Sequence, residues 1–132
     1  MAFNLVRLSV YFDRKDYLDK ADSIFRAFQA RATRYPRAYD KLLAAADMRL
    51  SRIKEIALIG PLDSPGLHAL RGVVFGRYLP NKVVAGAPSA IADLPLLANR
   101  QMIDGKPTAY VCERYVCQKP VTAPDELIKL LD

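Results

Sequence analysis

A chain of 132 residues, 52% apolar and 26% charged, is long enough for one domain with a core of its own and too apolar to be disordered. No apolar run approaches the roughly 20 residues that cross a bilayer, and residues 1–7 lack the basic, apolar, small-residue order of a secretory leader. The expected setting is therefore soluble and cytoplasmic, with no membrane partner.

The net charge of +6 lies wholly in residues 1–54, where 12 Lys/Arg face 6 Asp/Glu; residues 55–132 hold 8 of each. The densest stretch is Arg26, Arg31, Arg34, Arg37 and Lys41. It carries no nucleic-acid-binding motif. It reads as the solvated face of two helices, or as a surface for the rest of a larger protein, and nucleic acid is not an expected partner.

The first 54 residues have helical period. Leu5, Leu8 and Phe12 step by three and four. Residues 14–33 place Tyr17, Leu18, Ala21, Ile24, Phe25 and Phe28 on one stripe, with Asp13 as the expected N-cap and Asp16 in the first turn. Tyr35-Pro36 breaks the helix, because the residue before proline avoids the helical region. A third helix over residues 37–50 carries Tyr39, Leu42, Leu43, Ala46 and Leu50. Short joints between them predict antiparallel hairpins.

The period then changes. Ile56-Ala57-Leu58-Ile59, ended by Gly60-Pro61, suits a strand buried on both faces. Ser64 as N-cap and Pro65 in the first turn open a helix over residues 66–78. Val83-Val84-Ala85 is a second buried strand, so the segment predicts a right-handed βαβ unit with adjacent parallel strands. Residues 86–107 are punctuated by Pro88, Pro95, Asp104-Gly105 and Pro107, with Leu94-Pro95-Leu96-Leu97 as one turn over the sheet. Ala109-Tyr110-Val111-Cys112 is a third strand, and Thr122-x-x-Asp125 a capping box for a last helix to Leu131. The expected fold is mixed α+β: a helical segment at 1–54, then a small three-stranded α/β subdomain at 55–132.

Several motifs carry a family resemblance in their order and spacing: Leu79-Pro80-Asn81-Lys82-Val83-Val84, Pro95-Leu96-Leu97, Thr108-Ala109-Tyr110-Val111-Cys112, and Cys117-Gln118-Lys119-Pro120-Val121-Thr122. They resemble the C-terminal region of the YyaL-type thioredoxin-domain-containing proteins, the spermatogenesis-associated protein 20 family. The resemblance implies a longer architecture: a thioredoxin-like domain, then an α/α toroid like those of six-hairpin glycosidases and N-acylglucosamine 2-epimerases. Residues 1–54 would be the last toroid helices. The implied partner is the missing toroid or thioredoxin-like region, or a second copy of the chain.

Candidate chemistry is sparse. Cys112 and Cys117 form C-x₄-C rather than C-x-x-C. In a straight strand they would stand about 16 Å apart, so a bridge requires a turn over residues 113–116. One reading is a redox pair, whose thiols Arg114 and Lys119 would acidify. The other, which the cytoplasmic setting favours, is two free thiols. With His68 the one histidine, no metal set is expected. The turn holding Asp63 and Ser64 follows a strand and precedes a helix, where α/β folds bind ligands. It matches no phosphate-binding motif, and Pro61 and Pro65 remove two N–H donors. Asp16, Asp19 and Asp22 step along one helix among lysines, a solvated face rather than a catalytic pair. No catalytic residue and no cofactor are expected. The leading reading is a non-catalytic module serving packing and partner contact. Its rivals are part of a carbohydrate-active enzyme whose catalytic residues lie elsewhere, and a redox role for the two cysteines.

Overall fold

A computed structural model of the chain describes residues 1–114 and 116–132; Tyr115, in the turn expected between the cysteines, lies outside the described residues. Helices α1 (Ala2–Phe12), α2 (Lys15–Arg34) and α3 (Asp40–Leu50) come first, with a 3-10 turn at Pro36–Tyr39 where the Tyr35-Pro36 break falls. Asp13 does not cap α2. It takes the left-handed conformation (φ 49°, ψ 48°) that ends α1, and its N–H reaches the Ser9 carbonyl. Arg14 takes the N-cap position of α2.

α2 packs by its expected stripe, with Leu18, Ala21 and Phe25 in one core cluster, whereas the buried faces of α1 and α3 differ from theirs. α1 buries Ala2, Val6, Ser9 and Val10, while Phe12 is exposed. This helix is covered on two sides, by α2 and α3 and by the sheet, so an almost all-round apolar sequence suits it. α3 buries Ala45 and Met48 and turns Leu43 and Leu50 outward, Leu50 to 82% exposure.

The rest is a mixed sheet with two helices. β1 (Lys54–Ile59), α4 (Pro65–Gly76) and β2 (Lys82–Ala87) form the expected βαβ unit, with Ile56 beside Val84 and Ile59 beside Ala87 in parallel register. β3 (Thr108–Glu113) runs antiparallel on the other side of β1. The sheet has four strands, not the expected three, because the chain turns back as β4 (Val116–Cys117) along β3; the order is β2-β1-β3-β4. α5 (Pro124–Leu131) closes the chain. Its N-cap is Ala123 with no side-chain cap, so the expected Thr122–Asp125 box does not form; Asp125 and Glu126 in the first turn favour the helix dipole instead.

The sheet is buried on both faces. Ile56, Leu58, Ala109 and Val111 meet Leu67, Leu70 and Val74 of α4 and Leu127 and Leu131 of α5. On the other face Val83 joins Val6, Val10, Ala21, Met48 and Leu96 in one cluster, and Ala57, Ile59 and Ala87 meet Leu97. The Tyr11 hydroxyl donates to the Val84 carbonyl at 2.9 Å, tying α1 to β2. Among the described residues no helix is long and apolar enough to cross a membrane.

Candidate functional site

β3 presents Thr108, Tyr110 and Cys112 to the sheet face that the 94–106 loop crosses, because alternate strand residues share a face. Each side chain meets a piece of that loop. The Thr108 hydroxyl, fully buried, accepts from the Ile103 N–H and donates to the Lys106 carbonyl, both at 2.9 Å. The Tyr110 hydroxyl donates to the Gln101 carbonyl at 2.6 Å and accepts from its N–H at 3.2 Å. Asp104 (φ 51°) and Gly105 (φ 68°) make the tight reversal between Ile103 and Lys106.

These bonds bring Arg100 over the cysteines. Its guanidinium stacks on the Tyr110 ring, 4.8 Å from the centroid, and Nη2 lies 3.4 Å from Cys112 Sγ and 3.2 Å from Cys117 Sγ. The two sulfurs are joined as a disulfide, against the expectation of free thiols. The physical reason is the turn back into β4, which sets Cys117 directly opposite Cys112, with the Gln118 N–H bonded to the Val111 carbonyl. Cys112 is buried and Cys117 exposed. Neither Arg114 nor Lys119 is the cation at the sulfurs. Arg100 was missed because it lies in an irregular loop 12 residues before Cys112.

Glu55 continues the row inward: it stands opposite Cys112 on one side and Val83 on the other, and is 7% exposed. With Val10, Asp13, Pro95, Leu96, Arg100 and Cys117 it lines a cavity of about 170 Å³. Glu55 and Arg114 also border a neighbouring cleft of about 390 Å³.

The other sequence-predicted residues have structural work. Ser64 caps α4, accepting from the Leu67 N–H at 3.3 Å and donating to the Pro61 carbonyl at 2.7 Å. Asp63 borders an open cleft of about 410 Å³ with His68 and Arg71, and His68 Nε2 is bonded to the Leu62 carbonyl at 2.9 Å. In the Leu79-Pro80-Asn81-Lys82 motif, Leu79 joins the core, Asn81 donates to Asp47 of α3 at 2.8 Å, and Lys82 donates to the Val74 carbonyl at 2.8 Å. Ala109 pairs through its backbone with Val121, which is how the Pro120-Val121-Thr122 segment joins β3. Asp16 is held by Arg14 and Lys20, and Asp22 by Arg49 across α2 and α3. Among the described residues no cluster of three or more His, Cys, Asp or Glu is placed to hold a metal ion.

Fold and site thus define a mixed α+β module whose edge hairpin carries a disulfide under an arginine. Over 98% of its length the chain is 36% identical to human spermatogenesis-associated protein 20 and 34% identical to the rat protein, and it spans 17% of the length of each. An uncharacterised protein of Caenorhabditis elegans is 30% identical over 98% of the chain, with 18% of its own length covered. The chain is homologous to part of spermatogenesis-associated protein 20, as its motifs suggested. No family model matches it, and no solved structure matches it significantly.

Proposed function

We propose that the chain acts as a non-catalytic module whose helical side packs against further helices of a larger protein. The observation that carries this reading is the outer face of α3. Leu43, Ala46 and Leu50 lie at helical spacing, yet Leu43 is 42% and Leu50 82% exposed. A stripe at that spacing is the face by which a helix packs. Beside it, Phe25, Ala46 and Leu50 border an open groove of about 360 Å³, and Phe28 edges another of about 370 Å³. The occupant that fits is a helix of the remaining architecture, of which this chain spans 17% in the curated relatives. The toroid implied by the motif resemblance would supply such helices. On this reading any carbohydrate chemistry would belong to residues outside this chain.

The test is sedimentation at micromolar concentration, alone and with the preceding helical region of a relative supplied in trans. The chain is expected to self-associate alone and to form a one-to-one complex with that region. Leu43→Glu with Leu50→Glu should abolish both. A wild-type monomer that ignores the helical region would overturn the reading.

A further inference from the structure

We propose that Cys112–Cys117 is a reversible thiol–disulfide exchange site for a small thiol, with Cys117 the sulfur attacked and Arg100 the group that stabilises the reduced form. This goes beyond the packing role and does not depend on it.

Three observations point there together. First, the two sulfurs are unequally accessible. Cys112 is 2% exposed on the inner strand β3, whereas Cys117 is exposed on β4, the last strand of the sheet. An incoming thiolate can therefore reach one sulfur and not the other. Second, a cavity of about 170 Å³ opens beside Cys117, room for the reacting end of a small thiol. Third, the Arg100 guanidinium lies within 3.4 Å of both sulfurs, and its Nε has no hydrogen-bond partner among the described residues. A disulfide sulfur is a weak acceptor and gains little from a cation. A thiolate in the same place accepts a charge-assisted bond. Arg100 therefore discriminates between the two redox states and favours the reduced one. The carboxyl groups of Glu55 and Asp13 line the same cavity, but Arg100 is the group at hydrogen-bond distance from both sulfurs.

The exchange balances in two steps. A small thiolate attacks Cys117 Sγ, forming a mixed disulfide and breaking the Cys112–Cys117 bond; the electron pair leaves on Cys112 as a thiolate beneath Arg100. A second small thiolate then attacks the small-thiol sulfur of the mixed disulfide and releases the Cys117 thiolate. Two small thiols are oxidised to one disulfide, the protein disulfide gains two electrons, and the protons shed by the small thiols are available to the cysteines.

The test equilibrates the full chain in glutathione buffers of varied ratio, quenches with acid, and counts maleimide-reactive thiols by intact mass. A single transition between zero and two thiols is expected. Arg100→Gln should shift its midpoint several-fold toward the disulfide and slow alkylation of reduced Cys117 by about threefold, less than its loss of thiolate because a more basic thiolate is the better nucleophile, with Arg100→Lys recovering most of both. Cys112→Ser should take up one glutathione at Cys117; Cys117→Ser should take up none. Two reactive cysteines at every ratio, none at any ratio, an Arg100→Gln midpoint equal to wild type, or adducts forming on Cys112 instead would each overturn the proposal.

Discussion

Residue by residue, the contacts that matter most here join a side chain to backbone or charge nearby. At the start of α2, Arg14 grips the Asp16 carboxylate with two hydrogen bonds of 2.9 and 2.8 Å. The Arg14 hydrogen bond holds the Asp16 carboxyl below the usual carboxylate range, and burial opposes it only in part. A carboxyl with a lowered folded-state pKa stabilises the fold above its unfolded pKa, and that contribution is lost as pH falls through the folded value. A carbon-detected NMR titration should therefore find Asp16 titrating below its ordinary value, and Arg14→Gln should move it back up. An Asp16 titration unchanged in that variant would remove the pair from the account. Gly60 and Gly72 make a second contrast. A Cβ on Gly60 would stand 2.9 Å from Pro107 Cβ and 3.1 Å from its Cα, whereas one on Gly72 meets nothing within 4 Å. Gly60→Ala is expected to cost about 1–3 kcal/mol by overpacking. Gly72→Ala, inside α4, should stabilise by about 0.5–1 kcal/mol through helix propensity. Urea unfolding of the two variants should shift midpoints in opposite directions.

Among the elements, β3 organises the site: its hydrogen bonds through Thr108 and Tyr110 place a loop that has no regular structure, and through it Arg100. The disulfide closes a sequence separation of 5 between strands already paired, so the chain-entropy account assigns it only about 2 kcal/mol. The Cys112→Ser, Cys117→Ser double variant should thus lose about that much stability in urea while keeping the wild-type far-ultraviolet circular dichroism. Collapse of the spectrum would mean that the bridge holds more than its hairpin. The elements were unequally legible in sequence. The βαβ unit was readable because Ile56-Ala57-Leu58-Ile59 is an apolar run, because Ser64-Pro65 marks a helix start, and because Val83-Val84-Ala85 repeats the apolar signature. The two-residue β4 was not, since Val116-Cys117 is too short to show a period. Asp13 and Thr122 look like caps by residue type, but type does not say whether an aspartate ends one helix or begins the next. The α3 stripe was readable as apolar, yet which side faces inward depends on neighbours that no local pattern contains. Arg100 had no sequence mark at all, because its role follows from a hydrogen-bonded loop crossing β3.

At the scale of the whole molecule, the segments on either side of the β1 start share one interior. Val6 and Val10 of α1, Met48 of α3, Val83 of β2 and Leu96 of the loop form a single buried cluster, and the Tyr11–Val84 bond crosses the same boundary. Burial of five such side chains contributes roughly 8–15 kcal/mol at about 1.5–3 kcal/mol each. That is comparable to the whole stability of an ordinary domain, about 5–15 kcal/mol. Separating residues 1–54 from 55–132 would uncover the inner side of α1 and the part of one sheet face around Val83, the rest of that face staying under the 94–106 loop, and neither part is expected to remain folded after that loss. The full chain should therefore unfold in urea as one cooperative transition, with a probe in α1 and a probe in β1 giving coincident midpoints and slopes. Residues 55–132 expressed alone should exchange the β1 and β2 amides orders of magnitude faster than the full chain does, because α4 and α5 cover only the opposite face. Slow exchange of those amides in the shorter chain, or two separate transitions in the longer one, would show that the α/β part stands on its own and that α1 to α3 are an addition to it.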